Sequence, residues 1–417
     1  MAYSTPVSPD RGVQVRSVYR SCAVIGLGGL FAGITGPLIS TFVPPLVQGV
    51  LGDDRTGIGF VMAIDNVLLL LLVPWAGPAS DRAAQRGRGR MRFVIGGLLL
   101  AAVGMALLPT LATALAPLIA GIVILNVGIN LQRAPFQALV ADVVPSRWRS
   151  LATGSVTFQM CVGAIVFLML GRMLGMRPAF LIAAGSVVAV AGAFLVWLRE
   201  PPATTPADEV TYRSLLHAAL SALRGGIPAV RPIFVATLLL QLTFQTFTTW
   251  YALHGTERFG VRPEDVTVGF IAWAVGGVVG ALPAGWIGVR FGRRRAMLIG
   301  FGLMGACLLA LDRVTSVQQA VPLLALAAAS WTFPMVNAFP LFVEPVPAKH
   351  RGVLGALYVL CMALGGAIGD PLNGGLFDLF GGYRALFLMM AGYVALALVA
   401  VLVVPRGTGE SAPDGNG

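Results

Sequence analysis

Asp142-Val-Val-Pro145-Ser-Arg147-Trp-Arg149 returns as Glu344-Pro-Val-Pro347-Ala-Lys349-His-Arg351, at a single offset of 202 residues (142 to 344, 145 to 347, 149 to 351). Acid falls on acid, proline on proline, and both basic positions coincide. Each copy closes a long apolar run. A looser match at nearly the same spacing joins Ala76-Gly77-Pro-Ala-Ser-Asp81-Arg82 to Ala284-Gly285-Trp-Ile-Gly-Val289-Arg290. Each of these is followed by a basic run, Arg86-Gly-Arg-Gly-Arg90 in the first and Gly292-Arg-Arg-Arg295 in the second. The chain is therefore built twice over, and the repeat fixes where its two halves lie.

Composition says what the halves are made of. Of 417 residues, 57% are hydrophobic and only 11% charged, with a mean hydropathy of +0.82. Water-solvated domains carry about 45–50% apolar and about 25% charged residues, so a soluble fold is excluded. The 52 glycines and 27 prolines sit inside apolar runs, where membrane helices accept them. The net charge of +11 is spread thinly over short connections, without the clustered basic face that nucleic acid needs. Cys22, Cys161, Cys307 and Cys361 show neither paired nor metal-type spacing, so no disulfide framework and no metal site is expected.

A bilayer core takes about 20 mostly apolar residues per helix. Twelve runs qualify: 21–47, 57–79, 93–113, 117–141, 152–171, 178–198, 231–254, 266–288, 296–312, 317–342, 353–377 and 384–405. The first follows Arg11, Arg16 and Arg20 but is longer than a secretory apolar core, so it reads as an uncleaved helix. The expected fold is an all-α membrane protein, twelve transmembrane helices in two six-helix bundles related by pseudo-symmetry. A 1–20 tail leads into the first bundle, 21–198, and a 199–230 linker leads into the second, 231–405, before a 406–417 tail. In the linker, Leu215, Leu216, Ala219, Leu220 and Leu223 form an apolar stripe opposite Arg213, His217 and Arg224, which predicts an amphipathic helix on the membrane face. With the N-terminus inside, 21 of the 29 basic residues fall on the inner side, seven on the outer side, and Arg133 within a span. That asymmetry predicts a multi-pass protein of the plasma (cytoplasmic) membrane with both termini cytoplasmic. Two parallel six-helix repeats are the plan of a secondary transporter that rocks one half against the other.

Gly77-x-x-x-Asp81-Arg82 with its Gly/Arg run resembles the loop 2–3 signature of the major facilitator superfamily, over about residues 18–405. The chain also resembles the sucrose/proton symporter-like and glycoside–pentoside–hexuronide:cation symporter branch. The similar pieces are Thr41-Phe-Val-Pro44, Ile64-Asp65-Asn66, Pro74-Trp75-x-Gly77-x-x-Ser80-Asp81-Arg82, Arg133-Ala-Pro135-x-x-Ala-Leu-x-x-Asp142 and Asp370-Pro-Leu-Asn373-Gly. Leu69 and Val73 stand where cation-coupled members of that branch carry paired acids, which argues against sodium coupling there. Val289 stands where the second loop signature would carry an Asp, leaving a latch carboxylate to the first half alone.

Charges inside a span are functional candidates by default. Asp65 lies about nine residues, or about 13 Å, below the outer end of its span, and is expected to carry a proton or bind a cation. The alternative is a structural acid held by neighbours such as Asn66. The resemblance places Asp370 on a helix facing Asp65. Two adjacent acids cannot both ionise cheaply, which suits them to proton coupling; otherwise Asp370 caps a glycine-loosened break. Arg133, with Asn126, Asn130, Gln132 and Gln137 nearby, suits forked hydrogen bonding to hydroxyls or a carboxylate, or else an ion pair such as one with Asp142. Gln241, Gln245 and Thr248 recur at i, i+4 and i+7 as a polar stripe that should face a cavity. Trp250, Trp331 and Asn337 complete a candidate sugar site, with Gln159 a weaker contributor. His254 reads as a solvated residue near the outer end.

Gly77, Asp81, Arg82, Asp142, Arg149, Glu344 and Arg351 are expected to gate rather than bind. Gly29/Gly33, Gly276/Gly280 and Gly365/Gly369 have the small-xxx-small spacing that admits close helix crossings, either as packing or as the places where the halves slide. The expected activity is proton-coupled alternating access for a small polar solute, a sugar or glycoside. An exporter of drugs or metabolites shares the fold, and a non-transporting sensor or scaffold is the third class. No nucleophile elbow, P-loop or dinucleotide fingerprint is present, so no enzyme and no cofactor is expected. The expected partners are a small-molecule substrate, a proton and the lipid bilayer, with no nucleic acid, and the protein is expected to be a monomer.

Overall fold

A computed structural model describes residues 10–145, 148–200, 230–343 and 351–405. Among the described residues every regular element is helical. The order is α1 (Asp10–Pro37), a π turn (Leu38–Phe42), α2 (Val43–Leu51), α3 (Arg55–Gln85), α4 (Met91–Leu111), α5 (Leu115–Val143), α6 (Arg149–Leu174) and α7 (Met176–Trp197). After the linker come α8 (Val230–Phe259), α9 (Pro263–Phe291), α10 (Arg293–Leu311), α11 (Val317–Val343), α12 (Arg351–Phe380), a 3-10 turn (Tyr383–Ala385) and α13 (Leu386–Val403). Eleven described stretches are long and apolar enough to cross a membrane, α1 and α2 forming one of them. The 30-residue α12 stands between the last two, so the expected twelve spans are present. Large side chains such as Phe158, Met173, Leu195, Leu282 and Val403 point outward, as the surface of a multi-pass membrane protein requires.

The first expected span is broken. Pro37 ends α1, and Pro44 and Pro45 open α2. Proline lacks the N–H that a continuous helix needs, and between these prolines Leu38–Phe42 wind as a π turn, a form that recurs where helices bend or carry function. The amphipathic linker helix expected within 199–230 lies almost wholly outside the described residues.

The chain forms two compact units that cut across the sequence halves. Of the described residues, those within 10–38, 71–111 and 120–200 form unit 1, and those within 39–70, 112–119 and 230–405 form unit 2. In unit 1, Gly29 and Gly33 lie against the backbone of Val156 and Met160 on α6, and Gly104 and Gly128 join α4 to α5 in the same way. In unit 2, Gly276 and Gly280 press α9 onto the backbone of Ala325 and Ala329 on α11, while Gly365 and Gly369 receive Gln241 and Leu242 of α8. The expected close crossings are therefore real, but all three pairs join helices of the same sequence half. The sliding alternative is corrected for these pairs, which pack each half internally. Gly59, Gly366 and Gly374 make one approach between helices of opposite halves, bringing α3 onto α12 inside unit 2.

Candidate functional site

Asp370 lies in α12 with no exposed surface. Pro371 follows it and denies the carbonyl of Ala367 its helical donor, while Gly59 lets α3 rest directly on the Asp370 carbonyl. Gln245 on α8 donates from Nε2 to Asp370 Oδ2 at 2.9 Å and to Thr249 Oγ1 at 3.2 Å. Thr249 and Trp250 flank the same carboxyl, and Asp65 is within electrostatic reach of it. Oδ1 of Asp370 has no donor at hydrogen-bond geometry, and neither does Trp250 Nε1 have an acceptor. Among the described residues no cation pairs with Asp370. One turn further on, Asn373 Nδ2 donates to Thr246 Oγ1 at 2.8 Å and its Oδ1 accepts from the Tyr393 hydroxyl at 2.8 Å. Asn373 thus ties α8, α12 and α13 together. Asn373→Ala is expected to cost about 1–3 kcal/mol of stability, because it removes the donor to the buried Thr246 hydroxyl and the acceptor of the half-buried Tyr393 hydroxyl; a lowered unfolding midpoint in detergent checks this.

α8 also joins an aromatic column, of which the sequence analysis singled out Trp331 but not the other rings. Phe244, Phe247 and Tyr251 follow one another at helical spacing along α8. Phe244 stacks on Trp331 at 5.0 Å, Phe247 on Trp273 at 4.1 Å and Phe247 on Tyr251 at 4.8 Å. The 3-then-4 spacing of these rings was the available signal, hidden because phenylalanines in a span read as lipid contacts.

Unit 1 has its own charged cluster where α3, α5 and the loop after α3 meet. Arg90 pairs with Asp81, and its Nε donates to Asp142 at 2.7 Å. Its backbone N–H donates to Glu200 Oε1 at 2.6 Å, and that of Met91 to Oε2 at 3.0 Å. Gly87 and Gly89, with φ of 71° and 72°, adopt the left-handed backbone that only glycine takes without strain, and so turn Arg90 back onto the acids. Arg90→Gln is expected to lose about 1 kcal/mol, because a half-buried and an exposed carboxylate would face each other without a cation in a partly solvent-screened cluster. Arg90→Lys should keep part of this, and thermal unfolding of the purified variants distinguishes them.

A family model described as the Major Facilitator Superfamily matches residues 25–281 and 233–416. The chain belongs to the major facilitator superfamily. It is 25% identical to the tetracycline resistance protein, class E, of Escherichia coli, over 84% of this chain and 86% of that protein. It is 23% identical to multidrug resistance protein 2 of Bacillus subtilis (strain 168), over 91% and 94%. In structure it resembles a mutant of the nucleoside transporter NupG (TM-score 0.73, 12% identity, 92% of this chain and 99% of that one). It also resembles a D-xylose–proton symporter (TM-score 0.70, 16% identity, 95% and 100%). These two likenesses show the fold, and the superfamily makes the protein a membrane transporter.

Several sequence expectations shift in this major facilitator chain. Trp250 is fully buried against Phe377 and Tyr383, so its expected role as an open face for a sugar ring is corrected to a core role beside Asp370. Asn337 donates from Nδ2 to the Ala284 and Phe333 carbonyls at 3.1 and 2.9 Å, tying α9 to α11, which corrects its place in a binding site. His254 is buried, with Nδ1 at 2.8 Å from the Tyr383 carbonyl, and is not solvated. Asp142 pairs with Arg90 rather than Arg133, and the same Arg90 pairs with Asp81; Arg82 makes no ion pair among the described residues. Arg149 donates to the Ala141 carbonyl at 3.1 Å. Gly77 lies in contact with Ala134. Arg133 and Gln137 are exposed one turn apart on α5, and Asn130 is buried with its Nδ2 on the Asn126 carbonyl at 3.0 Å. Gln159 donates to the Ala23 carbonyl at 2.9 Å and serves packing. Glu344 and the side chain of Arg351 lie outside the described residues.

Proposed function

We propose that the protein is a proton-driven exporter of ring-bearing amphipathic small molecules. In this reading it works by alternating access, as a monomer in the cytoplasmic membrane with both termini inside. The observation that carries it is Asp370, a wholly buried carboxyl held on one oxygen by Gln245, unmatched on the other and within reach of Asp65. A buried carboxyl needs a proton or a counter-charge, and no cation faces this one among the described residues. Asp370 carries the proton and Asp65 assists its exchange when water enters. Gln245 holds the carboxyl in place through both states.

Phe244 and Trp331, the half-buried end of the aromatic column, support a ring-bearing substrate, since flat faces stack on flat faces, while Phe247 and Trp273 are buried behind them. Similarity to proteins named for tetracycline and multidrug resistance points the same way. Arg133 with Gln137 favours a second reading, import of a sugar or glycoside with a proton, as does the resemblance to the sucrose and glycoside–pentoside–hexuronide branch. In that reading the guanidinium and amide hold vicinal hydroxyls.

Everted vesicles from a host lacking its own drug pumps separate the two. With a respiratory proton gradient and a pH-sensitive dye, addition of tetracycline or a hydrophobic cation is expected to dissipate the gradient, and mono- or disaccharides are not. Sugar-induced acidification of right-side-out proteoliposomes would replace the first reading by the second. Solute movement indifferent to any pH gradient would remove proton coupling from both.

A further inference from the structure

The loop end of unit 1 contains a cleft of about 510 Å³ between α3, the start of α4 and α5. Arg82, Arg86, Arg88 and Arg92 line it together with Trp75 and Phe93, and no carboxylate does. The contrast with Arg90, two residues from Arg88 and Arg92, is sharp. Arg90 is turned the other way and neutralised by Asp81 and Asp142, whereas the four arginines of the cleft make no ion pair among the described residues. Four guanidinium groups converging on one space without a counter-charge repel one another unless an anion joins them.

The apolar wall says which kind of anion. Trp75 is 56% exposed and meets the edge of Phe93 with ring centroids 6.4 Å apart. Indole rings prefer the level of lipid headgroups and glycerol. Trp75 precedes Arg82 by seven residues of α3, about 10 Å along the helix axis, so rings and charges are stacked in depth as the glycerol and phosphate of a lipid are. A free phosphate would use only the charged end. We propose that this cleft binds an anionic phospholipid, with the arginines on the headgroup phosphate and Trp75 and Phe93 against the glycerol and upper acyl chain. Basic pockets between membrane helices take such headgroups, and guanidinium binds phosphate through two parallel hydrogen bonds. None of these residues belongs to the Asp370 site.

The test uses the full-length protein in phosphatidylcholine nanodiscs doped with brominated phosphatidylglycerol or brominated phosphatidylcholine. Bromine quenches neighbouring indoles, and the Trp75 signal is isolated by subtracting a Trp75→Phe variant. Several-fold stronger quenching by the phosphatidylglycerol is expected. Arg86→Gln, Arg88→Gln and Arg92→Gln combined should weaken that preference at least about tenfold, since each basic group near a membrane surface contributes about 1 kcal/mol. The corresponding triple Arg→Lys variant should retain most of it, which separates charge loss from misfolding. Equal quenching by both lipids would overturn the proposal. So would an equal loss in a variant with Arg293, Arg294 and Arg295 changed to Gln, which would reveal a diffuse surface effect. Displacement of the lipid by inorganic phosphate at matched ionic strength, or by an acidic peptide, would assign the cleft to a soluble anion or a protein partner instead.

Discussion

Asp370→Asn is expected to abolish gradient-driven transport, by about a hundredfold or more, the scale on which losing a proton-transferring group acts. Asparagine fills the same space, and its Oδ1 can still accept from Gln245 Nε2, now 2.9 Å from the carboxylate. Folding should therefore change by no more than about 1 kcal/mol, the net contribution of one ordinary hydrogen bond. What disappears is the titrating group. Proteoliposomes loaded with substrate give the decisive comparison. Net movement against a concentration gradient should vanish, while exchange of labelled for unlabelled substrate at equal concentrations should persist, because exchange needs no proton. Gradient-driven transport that survives in a well-folded Asp370→Asn protein would remove Asp370 from coupling. Asp65→Asn, altering the neighbouring acid, is expected to weaken coupling less, since it leaves the carboxyl bonded to Gln245 in place.

Arg55→Ala is expected to free the N-terminal end of α3 from α12. The Arg55 side chain is only 16% exposed. It lies 3.5 Å from Asp378 and 4.0 Å from Glu257, with its guanidinium carbon 5.0 Å from the centre of the Tyr383 ring. Asp378 also accepts from the backbone N–H and the hydroxyl of Thr56, at 3.0 and 2.6 Å. Removing the cation leaves two acids side by side where one salt-bridged knot stood. A loss of about 1–3 kcal/mol on one side of a conformational equilibrium shifts its populations about 5- to 150-fold. Spin labels at Asp53→Cys and Leu379→Cys read this as a distance distribution. A longer-distance population should grow in Arg55→Ala and recede in Arg55→Lys. An unchanged distribution in Arg55→Ala would show that the glycine contacts alone hold these helices together.

The spans were legible because the bilayer sets a length and a composition that twelve runs satisfy. Glycine pairs such as Gly29/Gly33 were legible because only a missing side chain lets two backbones touch. Asp370 and Gln245 stood out as polar groups in an apolar setting, and the structure joins them directly. The partner of Asp81 was not legible. Five arginines follow it within a dozen residues, and the choice of Arg90 depends on the left-handed turns at Gly87 and Gly89, which a charge count does not register. Trp250 misled for another reason. An indole on a span looks the same in sequence whether it faces a cavity, a headgroup or, as here, the rings of Phe377 and Tyr383. The π turn at Leu38–Phe42 escaped because prolines near a span end ordinarily mark its boundary, and here they mark a break inside it.

The bond from Thr56 to Asp378 spans 322 residues of chain, and this has a consequence for biosynthesis. At about 5–20 residues per second, the ribosome needs about 16–64 s to deliver Asp378 after Thr56 has entered the membrane. Throughout that interval Arg55 and the bare backbone at Gly59 have no native surface to rest on, so the newborn first half must be sheltered by the insertion machinery or by lipid until translation is nearly finished.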